Sequence, residues 1–197
     1  MHHKAAGKLR IISGKWRSRR FSVPPISEVR PTSDKLRGIL FNWLQVYIEG
    51  STCLDCFSGS GAIGFEAASR GAKHVSLVEQ NRTAYQSLIT IQKTLQCEHQ
   101  VSINCADIMQ VLKQSTQKYD FIFIDPPFAS QLYESVLSII LERDLLADKG
   151  MIYVEADLQS IPTLSTHWCI QKEKKVGQVW AALISVCPSP PKPTIIR

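Results

Sequence analysis

From Thr52 onward, short apolar runs alternate with segments of helical period, and this constrains the fold more than anything else in the chain. The runs fall at 52–57, 74–79, 101–105, 120–125, 150–155, 167–172 and 179–186. Helical spacing fills 60–70, 81–96, 107–115 and 131–143, as in Ala84, Leu88, Ile91 and Leu95. Parallel strands need crossovers, and helices of this length supply them. The expected fold is therefore α/β and Rossmann-like, a mostly parallel sheet covered on both faces and doubly wound by right-handed crossovers. The last two runs lie close together and predict an antiparallel hairpin turning at Val176-Gly177-Gln178. A further amphipathic helix is expected over 33–47, capped by Thr32 or Ser33.

These elements fit one domain over 31–187, preceded by a hairpin and linker at 1–30 and followed by a Pro-rich tail, 188–197, expected to be disordered. The 197 residues are enough for a real core. No apolar stretch is long enough to span a bilayer, and the basic start lacks an apolar signal-peptide core. A cytoplasmic protein without membrane partners is expected. Six cysteines in such a setting are expected to stay reduced. Cys53 and Cys56 form a C-x-x-C, but within a strand they point to opposite faces and read as small buried hydrophobes. No cluster with metal-ligand spacing stands out.

The net charge of +6 is unevenly placed. Residues 1–37 hold ten Lys/Arg against Glu28 and Asp34, a local +8, so the remainder carries −2. Within that basic fifth, residues 9–23 read as a hairpin turning at Ser13-Gly14. Cations interleaved with aromatic rings suit a polyanion with exposed bases. Lys8, Arg10, Lys15, Trp16, Arg17, Arg19 and Arg20 are the candidate nucleic-acid contacts, with Trp16 as a stacking ring.

The first central strand runs into Gly59-x-Gly61-x-x-Gly64 and then a helix, the arrangement that turns tightly and lets a backbone approach a ligand. Glu79 ends the next strand 20 residues beyond Gly59 and can hold a ribose diol. Asp107, read as ending the third strand, can take an adenine amino group. Both a nicotinamide dinucleotide and S-adenosylmethionine fit such a site. Asp55 beside Ser58 in the loop would repel a pyrophosphate and attract an ammonium, which favours adenosylmethionine.

The strand 120–125 delivers Asp125-Pro126-Pro127-Phe128 to the same edge. Prolines leave the neighbouring carbonyls free as acceptors. Asp125 and the Pro126 carbonyl can hold the two hydrogens of an exocyclic amine, and Phe128 can stack on its base. Such acceptors localise the nitrogen lone pair and stabilise the charge that develops in methyl transfer. Guanine N2 and adenine N6 are both amines, and the tetrapeptide does not separate them.

The chain resembles class I methyltransferases that modify exocyclic amines through a [Asp/Asn]-Pro-Pro-[Phe/Tyr/Trp] motif. More closely, Leu9-Arg10-Ile11-Ile12-Ser13-Gly14-Lys15-Trp16-Arg17, Arg30-Pro31-Thr32-Ser33-Asp34, Leu40-Phe41-Asn42-Trp43-Leu44, the glycine loop, Asp125-Pro126-Pro127-Phe128 and Lys175-Val176-Gly177-Gln178-Val179 resemble the bacterial RsmD family, 16S ribosomal RNA guanine-N2 methyltransferases. The resemblance implies seven strands in the order 3-2-1-4-5-7-6, with strand 7 antiparallel. It implies adenosylmethionine held by Thr32, Asp55, Gly59, Gly61, Glu79 and Asp107, with Ser58 in the same loop, and Asp125, Pro126 and Phe128 around the guanine. It implies action on 16S rRNA in an assembled or assembling small subunit; a monomer is expected. The alternatives are an adenine-N6 DNA methyltransferase, an NAD-linked oxidoreductase and a non-catalytic RNA-binding protein on the same fold.

Overall fold

The computed structural model describes residues 7–24, 33–126 and 132–188. Thr32, Pro127, Phe128 and all but the first residue of the expected tail lie outside them. Two short strands come first, β1 (Gly7–Arg10) and β2 (Arg20–Val23), followed by helix α1 (Asp34–Leu44). Then β3 (Thr52–Asp55), α2 (Ala62–Ser69), β4 (His74–Val78), α3 (Arg82–Leu95), β5 (Val101–Asn104), α4 (Ile108–Gln114), β6 (Tyr119–Ile124) and α5 (Leu132–Glu142) alternate as expected. Three strands close the described chain: β7 (Leu146–Asp157), β8 (Trp168–Val176) and β9 (Val179–Val186).

The main sheet has the order β5-β4-β3-β6-β7-β9-β8. Counted from β3, this is 3-2-1-4-5-7-6, and β9 runs antiparallel to both its neighbours. Side chains alternate across each strand, so the sheet carries a core on either side. Cys53, Phe121, Phe123 and Tyr153 pack with α1, α2 and α3 on one face. Leu54, Cys56, Ile122, Ile124 and Val154 pack with α4 and α5 on the other. Cys53 and Cys56 do fall on opposite faces, and burial pushes the Cys53 thiol up to about 12, which leaves it inert. Among the described residues, no helix is long and apolar enough to cross a membrane.

Helix ends follow the local chemistry. The Ser33 side chain accepts from the Leu36 N–H and caps α1, and Asn81 accepts from two N–H groups at the start of α3. Helix α2 differs from the others because each of its residues is buried. A helix covered all round needs cover on its outer side as well, and the N-terminal segment supplies it. Leu9, Ile11 and Trp16 join the core above α2.

Three expectations are corrected here. Strands β1 and β2 pair from Gly7↔Val23 to Arg10↔Arg20, so the connection spans 11–19 and Ser13-Gly14 is not its turn. Those two residues instead lie against α2. Cys169 and Cys187 form a disulfide across the β8–β9 edge, where their Cα atoms stand 5.1 Å apart. The hairpin register, with Trp168 opposite Val186, brings together two residues whose separation along the chain gives no such signal. The fifth main-sheet strand is also longer than expected and begins at Leu146.

Candidate active site

A cleft of about 330 Å³ opens along the carboxyl edge of β3, β4, β6 and β7. Open α/β sheets bind ligands at this edge, where the strand order reverses; here the reversal lies between β3 and β6. Asp55, Ser58, Gly59, Glu79, Asp107, Asp125 and Pro126 from the sequence reading all line it. Gly61 caps α2 just behind, with φ +78°, a conformation that disfavours any side chain. A Cβ at Gly64 would sit 2.1 Å from Leu77 Cδ2 and 3.3 Å from Asp55 Oδ2. That close approach of α2 to the sheet sets the depth of the floor.

The acids have distinct supports. Asp55 is 4% exposed, and its Oδ2 accepts from the Gly64 N–H at 3.2 Å. Burial first, then the Asp125 carboxylate, pushes its pKa up to about 7. Ser58 Oγ donates to the Asp55 carbonyl at 3.1 Å and fixes the loop. Glu79 ties loop to strand: Oε2 accepts from Gly59 N–H at 2.8 Å and Oε1 from Asn81 N–H at 2.7 Å. Asp107 does not end a strand, because β5 stops at Asn104. It caps α4 instead and accepts from Met109 N–H at 2.7 Å, with its carboxylate still exposed at the cleft.

Sequence reasoning missed the far wall. Tyr133 of α5 donates its hydroxyl to the Glu155 carbonyl at 2.7 Å. Glu155 itself is 5% exposed, lines the cleft, and accepts from the Tyr153 hydroxyl at 2.7 Å. Asp157 lies on the same wall. Burial, then Asp125 and Glu155, pushes the Tyr133 hydroxyl well above its usual range. The apolar runs that identify β7 and α5 carry no mark that their ends meet in a site.

Among the described residues, six carboxylates and no Lys, Arg or His line this cleft. That acceptor set suits a cationic, diol-bearing ligand such as S-adenosylmethionine and lacks the cations a pyrophosphate would recruit. The residues present fit the cofactor expected from the sequence.

The N-terminal segment lies elsewhere, along α2. Arg37 donates Nη2 to the Arg10 carbonyl at 2.9 Å and Nη1 to the Ala62 carbonyl at 3.3 Å. One turn on, the fully buried Glu66 accepts from Ile12 N–H at 2.7 Å and Ser13 N–H at 2.9 Å, and from Arg70 Nε at 2.7 Å. At the helix end, Lys15 N–H donates to the Ser69 carbonyl and Trp16 N–H to Ser69 Oγ. Lys8, Arg10, Lys15, Arg17, Arg19 and Arg20 are exposed. Trp16 is 7% exposed, with Lys15 Nζ 4.3 Å over its ring. Its expected role as a stacking platform is therefore corrected: the ring packs on the protein and leaves no face for a base.

A seven-stranded sheet of this order, with a glycine loop and an acid-lined carboxyl edge, defines the class I methyltransferase fold. A family described as Conserved hypothetical protein 95 matches residues 9–185. The chain is 40% identical over 179 residues to ribosomal RNA small subunit methyltransferase D of Escherichia coli K12, covering 90% of each. It is 39% identical to the protein of that name in Haemophilus influenzae, covering 89% of this chain and 92% of the relative. The solved structure of yhhF from Escherichia coli superposes with a TM-score of 0.84 at 38% identity, over 91% of this chain and 98% of the other. The chain belongs to this family, the RsmD family that its motifs resemble.

Proposed function

We propose that the chain uses S-adenosylmethionine to methylate the exocyclic N2 of a guanine in small-subunit ribosomal RNA. One observation carries the reading: Asp125 and Pro126, at the end of β6, open into the same acidic cleft as the glycine loop. The names of its relatives support the RNA substrate, and the whole-chain likeness favours guanine N2 over adenine N6.

When bound, adenosylmethionine supplies a methyl group activated on a sulfonium. Asp55, ionised, holds the ammonium end; Glu79 takes the ribose hydroxyls; Asp107 takes the adenine amine. Thr32 completes this set, with Ser58, Gly59 and Gly61 shaping the loop. Asp125 and the Pro126 carbonyl accept from the target amine and hold its lone pair in line with the methyl carbon, and Phe128 stacks on the base. Transfer of the methyl group would leave the nitrogen positive, and Asp125 would stabilise that charge until the proton passes to water. Exposed Lys8, Arg10, Lys15, Arg17, Arg19 and Arg20 take phosphates of the RNA. The working form is a cytoplasmic monomer that meets 16S rRNA within an assembled or assembling subunit.

Labelled cofactor should be incubated with small subunits from a strain lacking the enzyme, with naked RNA and with DNA, and the product nucleotide mapped. N2-methylguanine in the subunit is the expected product; label in DNA alone would overturn the reading. Asp125→Ala should abolish most turnover while cofactor affinity stays within a few-fold. A collapse of cofactor binding would move Asp125 into the cofactor site.

A further inference from the structure

The Asp-Pro-Pro-Phe motif accounts for the amine but leaves the identity of the base open. The far wall of the cleft bears on that question. Ile124 of β6 and Val154 of β7 are partners in a parallel ladder, so Asp125, directly after the end of β6, and Glu155 of β7 are the next residues along two neighbouring chain segments. Such neighbours lie about 4.8 Å apart. Phe123 and Tyr153 face one core while Ile124 and Val154 face the other. Alternation then turns Asp125 and Glu155 to the same side, and both line the cleft. The Tyr153 hydroxyl fixes Glu155 through Oε1, and the Tyr133 hydroxyl fixes the strand through the Glu155 carbonyl.

Two carboxylates side by side, with a proline carbonyl, form an all-acceptor surface. Guanine presents three N–H hydrogens along one edge, one on N1 and two on N2. Adenine presents two on N6, next to an N1 lone pair. A second acceptor beside the amine site therefore favours guanine and repels adenine. We propose that Glu155 selects the base, its carboxylate accepting from guanine N1–H while Asp125 and Pro126 accept from the N2 amine. This rests on the guanine-N2 reading above.

The test keeps the two claims apart. Once the product nucleotide is mapped, subunits carrying adenine at that position are compared with those carrying guanine. Glu155→Gln presents an amide N–H to guanine N1–H. It should lower kcat/KM on guanine by about 100-fold and narrow the guanine-to-adenine ratio at least tenfold. Cofactor affinity should stay within a few-fold. Tyr153→Phe, which frees the carboxylate from its hydroxyl support but keeps it, should narrow the ratio less than Glu155→Gln does. On the unaltered enzyme with saturating cofactor, guanosine should compete with subunits at least tenfold better than 1-methylguanosine or 2-aminopurine riboside, which both lack N1–H. If wild type makes N6-methyladenine, the function and the inference both fall. If wild type makes N2-methylguanine and Glu155→Gln slows both bases equally, or mainly loses cofactor, or the three nucleosides compete equally, the inference alone falls.

Discussion

Asp55 is the residue whose environment departs furthest from what its sequence position suggests. Read as a loop acid, it is an ordinary carboxylate; buried beside Asp125 it titrates at about 7. It is largely protonated below that pH and, in the role proposed for it, supplies the ammonium's counter-charge above it. Cofactor affinity should therefore rise between pH 6 and pH 8, and titration calorimetry of Asp55→Asn should show weaker, flatter binding; a flat wild-type profile would refute the role. The ligand-free protein should show the opposite trend. The folded state holds this proton more tightly than the unfolded chain does, so the stabilisation is complete below the ordinary carboxylate pKa and is lost as pH rises through about 7. The loss amounts to a few kcal/mol at most, and urea midpoints of wild type against Asp55→Asn across pH 4–8 would measure it. The shared edge of Asp55, Glu79, Asp107 and Asp125 is legible in the sequence. The Glu155 wall is not, because a carboxylate inside an apolar strand gives no sign of which edge it meets.

Among the elements, α2 shows the clearest gap between pattern and structure. Its apolar composition predicts burial, but Glu66 stands in the middle of it. The partners of that carboxylate are the Ile12 and Ser13 N–H groups, Arg70 and, at 4.0 Å, Arg37. Backbone donors leave no trace in a sequence, so neither the Glu66 contact nor the true register of the β1–β2 hairpin can be read from it. Removing one partner of a buried ionic group typically costs about 3–5 kcal/mol. Glu66→Ala should lose stability on that order in denaturant unfolding, with proteolysis appearing first in residues 7–24. Protection of that segment unchanged from wild type would show that Glu66 does not hold it. The alternating strands and helices, by contrast, are legible almost throughout, since periods of two and 3.6 report burial directly.

For the whole molecule, the division of charge carries over from sequence to structure. Lys8, Arg10, Lys15, Arg17, Arg19 and Arg20 stand exposed together on the N-terminal segment, and the described cleft is lined by acids alone among charged residues. Replacing Arg17, Arg19 and Arg20 together with Ala should weaken subunit binding and reduce the slope of log affinity against log salt by about 2–3, close to one for each phosphate no longer neutralised. Binding that is unchanged across salt concentrations would rule out an RNA role for these three. Sheet order and strand direction agree with those implied by family resemblance. The disulfide between Cys169 and Cys187 has no precursor in pattern or spacing and follows only from the paired edge strands.

The path of the N-terminal segment along α2 has a consequence for ancestry. An appended domain can be exchanged between catalysts because its joint is a linker. Here the cover and the helix beneath it share their anchors, with Arg37 bridging the Arg10 and Ala62 carbonyls, Ser13 on Glu66 and Trp16 on Ser69. A lineage that lost residues 7–24 would not keep the remaining core intact, since the same deletion would bare the apolar outer side of α2 and remove two of the N–H donors on Glu66. The basic strap and α2 can therefore be inherited only together, and drift at Ile12 or Ser13 is tolerated wherever the backbone N–H remains, whatever the side chain becomes.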